Sequence, residues 1–226
     1  MIKDFDLLQR ANNDYTTIDL EHAEELAYRE LIDSIRYISL GDECGVMGNI
    51  ANIITYKGRF YIQEEQFDRV FIYDDTGRCL KKIDNKGRGP GEYLRIESID
   101  INTEKEELML VDGMSDKLFF YDLGGNFKSI HSIRYFQTEN TLCLRDSVFL
   151  HISAPSQNFG NEGLYGYALV LSKGNENFLK GYRYLPLQVG YKGGGQIFKG
   201  YERSCYHPIY SDTIYQILSD TTYGPI

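Results

Sequence analysis

Residues 68–78 read Asp68-Arg69-Val70-Phe71-Ile72-Tyr73-Asp74-Asp75-Thr76-Gly77-Arg78, and residues 116–126 read Asp116-Lys117-Leu118-Phe119-Phe120-Tyr121-Asp122-Leu123-Gly124-Gly125-Asn126. The two stretches lie 48 residues apart and share one order: an acid, a base, four apolar or aromatic residues, a second acid, then a glycine turn. Three steps of 48 lead from Asp68 to Asp212, where Asp212-Thr213-Ile214-Tyr215-Gln216-Ile217 keeps the polar-then-apolar rhythm. A period near 50 built from short strands is the pattern of a radial β-repeat, whose units bury their faces on their neighbours.

Outward from the repeat, strand patterns recur at short intervals. They cover Gly48 to Thr55, Arg59 to Glu64, Arg69 to Tyr73 and Arg78 to Ile83, then Arg95 to Ile101, Glu107 to Val111, Lys117 to Tyr121 and Asn126 to Ile133. Four strands per period is the content of one propeller blade. Asp75-Thr76-Gly77 and Gly124-Gly125-Asn126 occupy the same hairpin in successive units, where positive φ is required. The third unit is less regular: Ser147 to Ile152 and Tyr167 to Leu171 read as strands around a longer loop, Ser153 to Gly163. The last unit reads as one strand, Asp212 to Leu218, with a short tail. The expected organisation is therefore an irregular segment at 1–30 and blades over 31–226, the period-two pattern beginning at Leu31. His22 to Glu30 has the length of about two helical turns.

The fold class expected is all-β: a propeller of four-stranded antiparallel blades, about four of them. An open arc of blades leaves an unpaired edge, so self-association through that edge is expected.

Composition narrows the function. The formal charge is −9, with 33 acidic against 24 basic residues, so no phosphate-backbone partner and no nucleic acid is expected. The 19 Tyr and 12 Phe suit half-buried pleated surfaces, and the absence of Trp weakens any flat sugar-stacking platform. No apolar run approaches the length of a transmembrane helix, and Met1-Ile2-Lys3-Asp4-Phe5-Asp6 lacks the apolar core of a secretion signal. Cys44, Cys79, Cys143 and Cys205 are widely spaced with no Cys-x-x-Cys pair, so they read as four isolated thiols. Alone, these features fit the cytoplasm.

One loop stands out. Lys86-Gly87-Arg88-Gly89-Pro90-Gly91-Glu92-Tyr93 joins the outer strand of one blade to the inner strand of the next. Gly87, Gly89, Pro90 and Gly91 suit a tight structural crossover. The loop has no Gly-Lys-Ser/Thr ending and opens no helix, so it is not a phosphate loop. Arg88, Glu92 and Tyr93 carry its reactive groups and are the candidate ligand-binding residues; Arg88 is placed to pair with Glu92.

With this loop, Leu31 to Leu40, Phe71 to Gly77 and Asp212 to Tyr215, the chain resembles the six-bladed β-propeller lipoproteins of Bacteroidetes, themselves similar to NHL-repeat propellers. The resemblance spans about Thr17 to Ile226 and implies an opening strand at Leu31 to Leu40. It also implies a cell-envelope location, periplasmic or anchored at the outer membrane. Six blades are implied where about four are present, so a shortened member is expected.

No catalytic or metal-binding pattern emerges. His22, His131, His151 and His207 form no i,i+4 pair and no His-Glu motif. Some NHL-like propellers hold a channel metal with ligands from separate blades, and the resemblance implies that alternative. Asp100, Asp112 and Asp122 end strand patterns, where Asp caps turns. No Gly-x-Ser-x-Gly elbow occurs. The Tyr clusters at Tyr182-Arg183-Tyr184 and between Tyr201 and Tyr215 read as packing between blades. No cofactor is expected. The function expected is noncatalytic binding or scaffolding, with a protein, peptide or carbohydrate partner; the alternative is a metal-dependent lactonase- or lyase-like enzyme using the central channel.

Overall fold

The computed structural model describes residues 6–7, 9–10, 32–133, 138–145, 147–154, 158, 163–173, 177–183, 195–199, 204–209, 211–218 and 222–225. They are strands, turns and extended segments, and no helix among them is long and apolar enough to cross a membrane. The helical expectation at His22 to Glu30 lies outside the described residues.

Four sheets follow one another along the chain. The first blade holds β3 (Ile50–Tyr56), β4 (Arg59–Glu64), β5 (Arg69–Asp74) and β6 (Cys79–Ile83). The second holds β7 (Ser98–Asn102), β8 (Glu107–Asp112), β9 (Lys117–Asp122) and β10 (Phe127–Ser132). The third holds β11 (Asn140–Arg145), β12 (Val148–Ile152), β13 (Tyr167–Lys173) and β14 (Asn177–Arg183). The fourth holds β15 (Gln196–Lys199), β16 (Ser204–His207), β17 (Tyr215–Ile217) and β18 (Thr222–Pro225). Within each blade successive strands pair antiparallel. Two short N-terminal strands, β1 (Asp6–Leu7) and β2 (Gln9–Arg10), add in parallel to the outer strands β14 and β18.

The blades pack face to face through apolar layers. Tyr61, Val70 and Ile72 of the first blade meet Ile99, Leu108, Leu110 and Phe119 of the second. Met109, Val111 and Phe120 meet Cys143 and Phe149 of the third, and Leu150, Leu169 and Leu171 meet Tyr206, Tyr215 and Tyr223 of the fourth. Tyr206 and Tyr215 are thus packing residues. The middle strands β8 and β12 are buried along their whole length because a layer covers each face. The first strands of the blades lie side by side: β7 neighbours both β3 and β11.

Three sequence expectations change. The segment 32–49 is extended but pairs in no sheet, and blade pairing begins at Ile50, not Leu31. Its alternation reflects an extended chain lying across the first blade, where Gly41 N donates to Gly77 O at 2.8 Å and Glu65 N to Asn49 O at 3.0 Å. The fourth unit has four strands of its own, not one strand and a tail. Its strands are only three to four residues long, too short to show a period. Cys44 and Cys79 are also not isolated thiols: they form a disulfide with a Cα–Cα separation of 6.0 Å, 35 residues apart in sequence.

Candidate functional site

The glycine-rich loop is held by backbone pairing at its base. Gly87 N donates to Tyr93 O at 2.9 Å, Tyr93 N to Asn85 O at 3.2 Å, and Glu92 N to Gly89 O at 3.1 Å. Gly91 takes φ +80 and lies over the Phe127 ring of the next blade. Tyr93 is fully buried. Its hydroxyl donates to Asp68 O at 2.8 Å, accepts from Asn85 N at 3.2 Å, and has Ile83 O at 3.4 Å. Burial pushes its pKa up, so it stays a neutral anchor. Asp68 completes the lock: Oδ1 accepts from Ile96 N at 3.1 Å and Oδ2 pairs with Lys86. From the second blade, Asp112 Oδ2 accepts from Leu94 N at 2.7 Å. The loop therefore joins two blades rigidly.

Arg88 and Glu92 remain exposed on this pinned loop. Glu92 Oε2 accepts from Gly89 N at 2.7 Å and does not pair with Arg88. Of the three candidate ligand residues, two face solvent and Tyr93 lies beneath them. Arg88 makes no ion pair among the described residues.

Asp112 and Asp122 cap turns as expected. Asp112 Oδ1 accepts from Met114 N at 3.0 Å and Ser115 N at 3.2 Å; Asp122 Oδ1 accepts from Asn126 N at 2.8 Å. That bond and the Asn126 side chain hold the Asp122 carboxyl below its usual range. Asp100 does something different. It sits inside β7, 3% exposed, opposite Met109. Its Oδ2 accepts from Cys143 N of β11 at 2.7 Å and from Lys199 Nζ of β15 at 2.8 Å. Lys199 Nζ also donates to Ile101 O at 2.9 Å and Cys143 O at 3.0 Å. Burial raises the Asp100 pKa while Lys199 opposes the rise. One ion pair thus links the first strands of three blades. Sequence reasoning missed Lys199, which lies 99 residues away with no motif around it.

The third blade contains a chain of polar groups also absent from the sequence reading. Thr141 Oγ1 lies 2.9 Å from His151 Nδ1, and His151 Nε2 lies 2.8 Å from Ser172 Oγ. All three are buried, and burial lowers the His151 pKa to about 3. A histidine that is neutral and sealed in the core orients its neighbours and presents nothing to a substrate. His207 Nε2 donates to Ser211 O at 2.7 Å. His131 packs on Phe120 at 4.9 Å between ring centres. Among the described residues, no group of three His, Cys, Asp or Glu side chains converges as metal ligands.

Solved structures with the same architecture identify the fold. A presumed exported protein from Bacteroides fragilis is similar at 19% identity and a TM-score of 0.74, over 85% of this chain and 54% of that one. A member of the DUF4221 family from Bacteroides vulgatus is similar at 11% identity and a TM-score of 0.51, over 79% and 57%. A catalytically inactive virginiamycin B lyase from Staphylococcus aureus, solved with quinupristin, is similar at 10% identity and a TM-score of 0.50, over 78% and 54%. The chain spans about half the length of these structures. At such identities the likeness establishes the β-propeller fold alone. No curated protein sequence matches it. Residues 15–224 match the domain of unknown function DUF4934, and the chain belongs to that family.

Proposed function

We propose that this chain is a noncatalytic binding propeller of the bacterial cell envelope, built on a six-bladed plan like the lipoproteins it resembles. It engages a glycan, peptide or partner protein through loops on one rim. The observation that carries this reading is the loop at 86–93, whose backbone is pinned at both ends while Arg88 and Glu92 project into solvent. Rigid scaffolds that display polar loop residues are a common basis for recognition. The Cys44–Cys79 disulfide supports the location, since such bonds persist in oxidising compartments. The presumed exported Bacteroides neighbour supports it as well.

The test is array binding to glycans and peptides by the wild type and by Arg88→Ala and Glu92→Ala variants. The expected result is lost binding with an unchanged melting temperature. Equal binding by the variants would overturn the role of the loop, and recovery of the native protein in the soluble cytoplasmic fraction would overturn the location. One second reading is a metal-dependent enzyme working in the central channel, supported only by the fold shared with a lyase. Stoichiometric calcium or zinc in the purified protein would support it.

A further inference from the structure

The outer strands of the four blades are not treated alike. In the third blade β14 is covered by β1, with Asp6 opposite Leu179 and Leu7 opposite Lys180. In the fourth, β18 is covered by β2, with Gln9 opposite Thr222 and Arg10 opposite Tyr223. Both additions are parallel, so this blade type accepts an extra strand at its outer edge. In the first and second blades, β6 and β10 end their sheets with no further strand among the described residues.

The two edges that end their sheets differ in charge. Residues 78–88 hold Arg78, Lys81, Lys82, Lys86 and Arg88 against one acid, Asp84, in a chain whose net charge is −9. Lys82 pairs with Asp84 and Lys86 with Asp68. At the strand and its start Arg78 and Lys81 are exposed and make no ion pair among the described residues, while Arg88 belongs to the loop beyond it. Leu80, 45% exposed, adds an apolar contact between them. Along β10 the base Lys128 is already neutralised by Glu107. The β6 edge already takes one carboxylate: Cys79 N donates to Glu43 Oε2 at 3.3 Å.

We infer that the outer edge of β6 is a docking site for an extended acidic peptide, which joins the first blade as a fifth strand. Backbone hydrogen bonds supply the pairing and Arg78 and Lys81 select for carboxylates. This rests on the reading of the chain as a binding propeller and adds to the rim loop a second, separate contact at the sheet edge, which takes acidic peptides.

Fluorescence anisotropy on the whole protein tests it with three synthetic peptides: one alternating Glu and Val, a twin N-methylated along its backbone, and a Lys–Val counterpart. The Glu–Val peptide should bind saturably and weaken as salt screens the charges. Arg78→Glu with Lys81→Glu should lower its affinity about tenfold or more, and Lys81→Gln should lower it less, with the melting temperature unchanged in both. The N-methylated twin should lose binding, because its donors are blocked. Arg88→Ala and Glu92→Ala should leave peptide binding intact. Absence of Glu–Val binding, or equal binding by either control peptide, would overturn the inference; the latter would mean charge alone is recognised. Neither result touches the rim-loop reading, which is scored by the binding of the Arg88 and Glu92 variants to array ligands other than acidic peptides.

Discussion

The first two blades are the same design under two different covers. Residues 48 apart occupy matching places: Glu64 and Asp112 open equivalent turns, Asp68 and Asp116 have φ of 56 and 53, and Gly77 and Gly125 have φ of 89 and 81. In the second blade, a Cβ added at Gly125 would meet Ile72 Cδ1 and Lys81 Cγ of the first blade, each at 2.9 Å. In the first blade, a Cβ added at Gly77 would fall on the Ser39 carbonyl oxygen and on Ile38 Cγ2. The segment around 38–49 therefore occupies the place that a preceding blade would take. Met47 and Cys44 pack against Ile62, Phe71, Tyr73 and Cys79. Tyr73 Oη donates to Gly41 O at 3.2 Å, whereas Tyr121 Oη, the matching hydroxyl, is buried with no hydrogen-bond partner among the described residues. An unpaired strip of chain substitutes for a sheet when a covalent bond and a few backbone contacts hold it in place.

Alanine at the paired glycines separates the two covers most sharply. Both substitutions meet the left-handed penalty of about 1–2 kcal/mol. Gly125→Ala meets only side-chain atoms of Ile72, Lys81 and Ile83, while Gly77→Ala meets the Ser39 backbone carbonyl, which has less room to move. We expect Gly77→Ala to cost about 3 kcal/mol or more in chemical denaturation, and Gly125→Ala clearly less. Equal losses would mean that the segment yields as readily as a side chain.

The staple comes next. Cys44→Ser with Cys79→Ser should cost about 3–4 kcal/mol through the 35-residue loop it frees. Thiol titration of the denatured, unreduced protein should find two thiols, Cys143 and Cys205. Four would remove the staple from the comparison.

The paired aspartates should differ in sign. Asp68→Asn loses the Lys86 pair and about 1 kcal/mol. Asp116 has its pKa raised by burial and by Asp112, so the native state holds its proton more tightly than the unfolded chain. That group removes stability as pH rises from its ordinary 3.8 through its native value. Asp116→Asn should flatten the slope and stabilise the protein above that window. Urea midpoints of both variants from acid to neutral pH decide this, and an unchanged slope in Asp116→Asn would refute it.

The smallest effects are expected at the two tyrosines. Tyr73→Phe should lose about 1 kcal/mol with its hydrogen bond, and Tyr121→Phe should be neutral or slightly stabilising, since it removes a buried hydroxyl with no hydrogen-bond partner among the described residues. Burial raises the Tyr121 pKa to about 12, so its ultraviolet titration should lie beyond that of free tyrosine.

Much of this comparison could be read from the sequence. The 48-residue echo from Asp68 to Asp116 reports two blades whose strands run five to seven residues, long enough to show a period. The fourth blade was nearly invisible because its strands are shorter and its glycine-rich approach carries no alternation. The loop at 86–93 was legible as a crossover because glycine and proline act locally. That Tyr93 turns inward and Arg88 outward was not, since a loop side chain's direction depends on what lies beneath it. Pairings across the fold left no trace: nothing near Cys44 marks Cys79 as its partner, and Asp100 gives no hint of Lys199.

The staple also has an order in time. Cys44 leaves the ribosome well before Cys79, and Cys79 is the first residue of β6, the last strand of its blade. In the folded chain the two sulfurs meet where that strand lies in register beside β5, with Cys79 opposite Tyr73. Once formed, the crosslink makes the cover and the edge of the first sheet a single covalent unit, so the strip cannot peel away from the blade without carrying β6 with it.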